Sequence, residues 1–186
     1  DLLLAQLDIR EGKTDAARAN LTSLLNAPGN TGIQARIMLG SLEVTAGNYR
    51  AAIEHHRKWL EAAPRNALAL NNLAYLLVEH TDQLDEGLKY AQQAKELAPK
   101  NLAVEDTIGW AFYKKGLYPT AITHLERAAN EAGGTARRKY HLAMAYLKTG
   151  DLKRGQAALD TARRMDPSLP EAAAAQTLLV SASKSK

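Results

Sequence analysis

Apolar residues recur at helical spacing along the chain, and the pattern itself recurs. A large residue followed by a small one stands at Leu39-Gly40, Leu73-Ala74, Ile108-Gly109 and Leu142-Ala143, with Glu43, Leu77, Phe112 and Tyr146 three residues further on. Later in each unit a small residue stands at Ala52, Gly87, Ala121 or Gly155, and the unit closes near Pro64, Pro99, Gly133 or Pro167. The units start at Ile33, Ala67, Leu102 and Ala136, a spacing of 34, 35 and 34 residues with the extra residue falling between His80 and Leu84. This periodicity predicts a stack of helical hairpins, two helices per unit, each burying its apolar face against its neighbours.

The residue types at fixed offsets have mechanical reasons. Small residues at the two facing positions of a hairpin let its helices approach and interlock. Gly47, Gly116 and Gly150 fall at the turns between paired helices, where a residue without Cβ takes the left-handed conformation that ends a helix. Asp151 is placed to cap the helix that follows, and Pro119 lies in a first helical turn, where its missing N–H costs nothing. Upstream, Leu4-Ala5, Gly12, Ala17, Leu21 and Leu24 follow the same template with its first residues missing, so Asp1 is expected to open inside a helix and the chain to be cut from something longer. The expected organisation is one domain over 1–186. It comprises a partial unit over 1–32, full units over 33–66, 67–101, 102–135 and 136–169, a capping helix over 170–181 and a loose tail over 182–186.

Composition agrees with an all-α chain. Ala and Leu number 34 and 28 of 186 residues, whereas Val and Ile, which favour strands, together number ten. The absence of cysteine excludes disulfides, thiolate metal sites and cysteine nucleophiles. No apolar stretch approaches the roughly 18 residues of a membrane-spanning helix, so no membrane insertion of this segment is expected. Net charge is +4, with the basic excess lying in the second half, a bias that a solvated helical surface produces readily.

No reaction centre is legible. G-x-S-x-G, G-x-x-x-x-G-K-[ST], G-x-G-x-x-G and H-E-x-x-H are all absent. None of His55, His56, His80, His124 and His141 has a His, Asp or Glu four residues away on the same helical face, so no metal and no cofactor are expected. His56 and Trp59 stand at positions that belong to hairpin packing and are read as structural.

The 34-residue period, with this order of large, small, alanine and proline positions, resembles the tetratricopeptide repeat (TPR) family over nearly the whole chain. The texture of NNLAYLLVEHTDQLDEGLKYAQQAKELAPKN followed by VEDTIGWAFYKKG is similar to bacterial multi-repeat members, including those of exopolysaccharide and exosortase-type secretion systems. The resemblance implies a right-handed α-solenoid, non-catalytic, whose first helices line a concave groove through repeat positions two, five, nine, twelve and thirteen. Those positions include Asn71, Tyr75, Asp106, Trp110, Tyr113, Arg137, Tyr140 and Met144, beside which stands Asn72. Four aromatics on one surface, flanked by Asn, Asp and Arg, suit an extended or helical peptide, because aromatics dominate recognition hot spots.

The chaperone-tail clamp of some family members is not expected, since Ile37 and Ser41, Asn71 and Tyr75, or Asp106 and Trp110 stand where Lys and Asn would be required. Asp106 and Arg137 are instead expected to pair across neighbouring repeats. Two further readings bear on partners. Leu2, Leu3, Leu4 and Leu7 at one end predict self-association or assembly through the end helices. Single-stranded RNA binding, as in 35-residue helical arrays, is disfavoured by the spacing, so a protein or peptide partner is expected and no nucleic acid. The cellular compartment is left open by the sequence.

Overall fold

In the computed structural model, which describes residues 1–130 and 134–184, the chain forms eleven α-helices and no strand among those residues. They are α1 (Leu2–Arg10), α2 (Thr14–Ser23), α3 (Asn30–Thr45), α4 (Tyr49–Ala62), α5 (Ala67–His80), α6 (Leu84–Leu97), α7 (Leu102–Lys114), α8 (Tyr118–Asn130), α9 (Ala136–Lys148), α10 (Leu152–Met165) and α11 (Ala172–Lys184). Consecutive odd and even helices pair into five hairpins, each second helix packs on the next first helix, and α11 covers α9 and α10. On the other side α5 packs directly on α7 and α7 on α9, making a continuous wall of three first helices.

Local chemistry sets the boundaries. The Asn66 side chain accepts from the backbone N–H of Leu68 and Ala69, both at 3.0 Å, and Asn101 accepts from Ala103 at 2.9 Å. These caps start α5 and α7 just after Pro64 and Pro99, each of which follows the last residues of the preceding helix. Thr135 and Asp151 cap α9 and α10 in the same way. Gly47, Gly116 and Gly150 have φ near +75 to +80° at the hairpin turns. The α5–α6 hairpin has no such glycine. There the extra residue lets Thr81 donate to Leu77 O at 2.6 Å and accept from Gln83 N–H at 3.0 Å, so a side chain closes the turn.

Helix α3 begins at Asn30, three residues before the expected start of its unit. The capping helix begins at Ala172 rather than 170 and continues to Lys184, so helix replaces the expected loose tail over 182–184. Gly133 and residues 185–186 lie outside the described residues.

Each full hairpin carries one glycine and one alanine at the two small positions of its repeat. The alanines Ala52, Ala74, Ala121 and Ala143 are fully buried. A Cβ on Gly87 would stand 2.7 Å from Val78 Cγ2 and 3.0 Å from Ala74 O, one on Gly109 2.7 Å from Leu125 Cγ, and one on Gly155 2.5 Å from Leu147 Cδ2. At Gly40 the close neighbour is His56, 3.0 Å away at Nε2. Glu43, the one polar residue in its column, is 5% exposed; it pairs with Arg18 of the preceding hairpin and accepts from Asn48 Nδ2 at 2.8 Å. A buried carboxylate is tolerated there because both a charge and a hydrogen bond meet it.

His56 is buried with Nδ1 unpartnered, and burial, helped by the neighbouring His55, pushes its pKa down to about 4. From about pH 6.5 downward the unfolded chain takes up a proton that the folded chain refuses until about pH 4. Stability is therefore lost as pH falls through that window. The thermal midpoint is expected to drop between about pH 7 and pH 5, and to drop less in His56→Leu. Gly87→Ala, which in an open helix would be stabilising, is expected to cost ~1–3 kcal/mol in urea unfolding, because the backbone oxygen of Ala74 cannot retreat.

Candidate functional site

The caps at Asn66, Asn101 and Thr135 start α5, α7 and α9 at equivalent repeat positions, so Asn71, Asp106 and Tyr140 fall side by side one turn into the wall. Five of the expected groove residues, Asn71, Asn72, Tyr75, Asp106 and Arg137, line a single cleft of about 530 Å³ across these three helices. Thr107 and the turn residues Asp166 and Leu169 complete its wall. These last two were missed because the groove positions of the repeat template all lie on first helices, whereas Asp166 and Leu169 stand in the link between α10 and α11.

The polar groups are unevenly satisfied. Asp106 is buried, and its carboxylate accepts from His141 Nδ1–H at 2.9 and 3.0 Å, a bond that fixes the ring tautomer because a carboxylate can only accept. The expected Asp106–Arg137 pair is thus replaced. Arg137 turns to Glu171, Nε to Oε1 at 3.5 Å, and its guanidinium lies 5.9 Å from the centre of the Tyr75 ring. Burial, with the Arg137 charge opposing it, raises the Tyr75 phenol to about 12, so it stays neutral. Asn71 is 7% exposed and its Oδ1 has no hydrogen-bond partner.

The other four candidates go elsewhere. Trp110 and Tyr140 are 4% and 6% exposed, and Tyr113 and Met144 pack against the same core, which α11 closes with Ala172, Ala175 and Leu179. Trp110 stacks on Tyr113 at 4.4 Å and on His141 at 4.0 Å, and its Nε1–H donates to Glu79. Lys114 pairs with the same Glu79 at 3.3 Å and lies over the indole. The expectation of an open aromatic wall is therefore corrected: the indole and the Tyr140 ring are interior, because flat rings on adjacent first helices find each other and the capping helix before they meet solvent. Tyr75 remains as the half-buried aromatic of the cleft.

Among the described residues no group of three or more His, Asp or Glu side chains is arranged to hold a metal ion, and no helix is long and apolar enough to cross a membrane.

Comparison with known proteins gives one picture. Two family models described as tetratricopeptide repeat match residues 37–101 and 112–179. TPR repeat-containing protein PA4667 of Pseudomonas aeruginosa is 35% identical over 65 residues, which are 35% of this chain and only 11% of that protein. Among solved structures, TTC0263, a thermophilic TPR protein in Thermus thermophilus, matches with TM-score 0.72 and 20% identity over 97% of this chain and 96% of its own. MamA 41-end from Desulfovibrio magneticus RS-1 matches with TM-score 0.71 and 17% identity over 89% and 93%. YrrB, a TPR protein with an unusual peptide-binding site, matches with TM-score 0.65 and 21% identity over 95% and 90%. At these identities the likeness is one of fold.

Because Trp110 is interior, Trp110→Ala is expected to lower folding stability by ~3–5 kcal/mol in denaturant unfolding. An exposed groove aromatic would cost well under ~1 kcal/mol.

Proposed function

We propose that this chain, which belongs to the tetratricopeptide repeat family, is a non-catalytic scaffold that takes an extended segment of a partner protein in the cleft between α5, α7 and α9. One observation carries the reading. Residues that repeat position alone marks as groove-facing, on three different helices, converge on one cleft, and at its wall a buried carboxamide oxygen stands without a donor. An extended segment presents alternate side chains along such a cleft, and a fixed acceptor next to an aromatic face suits one of them. YrrB, with its unusual peptide-binding site, supports the capacity of this fold for the role. No nucleic-acid partner is part of the reading.

A second reading has its own observation. Leu3, Leu4, Leu7 and Ile9 of α1 are 74, 47, 40 and 37% exposed, an apolar end face suited to self-association or to assembly into a larger complex, such as one of secretion or of the envelope. Mutation separates the two. A peptide selected from a display library against the whole chain is expected to lose roughly tenfold or more in affinity on Asn72→Ala with Tyr75→Ala, at unchanged helicity. The same peptide should bind Leu3→Glu with Leu7→Glu normally. The reverse pattern would transfer the function to the end face.

A further inference from the structure

The cleft's unsatisfied atoms define what kind of group it receives. Asn71 Oδ1 is buried and unpartnered at the cleft wall. Glu171, which does not line the cleft but holds Arg137 there, leaves its Oε2 buried and unpartnered as well. Both orphans are acceptors, and a buried acceptor without a donor is destabilising until one arrives. One repeat on from Asn71, at the equivalent position, Asp106 adds a carboxylate that His141 holds from the next helix. Asp166 adds another on the far wall. The positive groups of the cleft are already engaged. Arg137 lies between Glu171 and the Tyr75 ring, and Arg138 has interactions of its own.

Arg137 also shows how the cleft treats a cation, since its guanidinium stands over an aromatic face and against a carboxylate. A ligand carboxylate would bring only acceptors, leave Asn71 Oδ1 without a donor and face Asp106 at like charge. A Lys ammonium or Arg guanidinium brings three or five donors and no acceptor. We infer that the cleft receives a cationic side chain, Arg or Lys, of the bound segment, with Asn71 Oδ1 and the Asp106 carboxylate accepting its N–H donors and Tyr75 flanking it. The inference rests on the peptide reading above and gives it a polarity.

The test uses the whole chain and three immobilised hexapeptide libraries, degenerate except for Arg, Leu or Glu fixed at the third position. Net charge is +4, so unspecific attraction would favour the Glu library, and preference for Arg has to come from the cleft. The Arg library is expected to retain the protein at least tenfold better than either of the others. Asn71→Asp, which puts a charge where the orphaned oxygen stands, should raise that retention further, and Asp106→Asn should reduce it to the Leu level. If Asp106→Asn fails to fold because its bond to His141 is weakened, Asn71→Asp still decides. Preference for Glu or Leu, or Arg retention that Asn71→Asp leaves unchanged or lowers, overturns the cationic site. A Glu or Leu preference that Tyr75→Ala abolishes would overturn it while leaving the peptide groove standing, whereas retention by no library would remove both.

Discussion

The structure depends on the distance at which two helices cross. In every full hairpin the two small positions of the repeat hold one glycine and one alanine, Gly40 and Ala52, Gly87 and Ala74, Gly109 and Ala121, Gly155 and Ala143, and the glycine alternates between the first and second helix from one repeat to the next. Room at the crossing is so short that a single methyl would meet a neighbouring side chain or backbone oxygen. Because the helices of a pair lie this close, the hairpins are thin enough to stack with α5 on α7 and α7 on α9. That stacking creates the wall on which the cleft is built. The large residues excluded from the crossings, Leu125, Leu147 and Val78, fill the space above the glycines, so close approach and core filling are one arrangement.

Much of this was legible in the sequence because it is local. The small pairs, the turn glycines and the closing prolines are set by steric rules acting within a few residues, and the period they mark put unit starts at 67, 102 and 136, where α5, α7 and α9 begin. What was not legible is long-range. The Asp106–His141 bond joins residues 35 apart on different helices, and the repeat template assigns neither of them to the other. Trp110 and Tyr140 occupy positions that face the groove by register, yet stacking between adjacent helices and the covering of α9 by α11 draw them inside. Glu43 broke the apolar column for a reason visible only when Arg18 of the preceding hairpin is placed beside it.

The same contrast explains the character of the candidate site. Most of the wall's aromatic surface is spent on cohesion, with Trp110 held by Tyr113, His141 and Glu79. What lines the cleft is polar and shaped by caps and turns: Asn71, Asn72, Asp106, Thr107 and Arg137 around the half-buried Tyr75. Recognition at such a cleft comes from matching a few unsatisfied hydrogen-bonding atoms and one ring face, with little help from apolar area. The stack beneath supports this, since Asn71, Asn72, Tyr75, Asp106, Thr107 and Arg137 sit on helices that also pack within their hairpins.

Whether ligand recognition belongs to the wall of first helices is decided by amide chemical-shift mapping. The isotope-labelled chain would be titrated with a peptide obtained by selection against it, and the shifted amides located along the sequence. Shifts are expected at 71–75, 103–107 and 135–138, with α1 and the outer face of α11 undisturbed. Shifts confined to 3–10 or to 173–181 would instead place recognition at the ends of the stack.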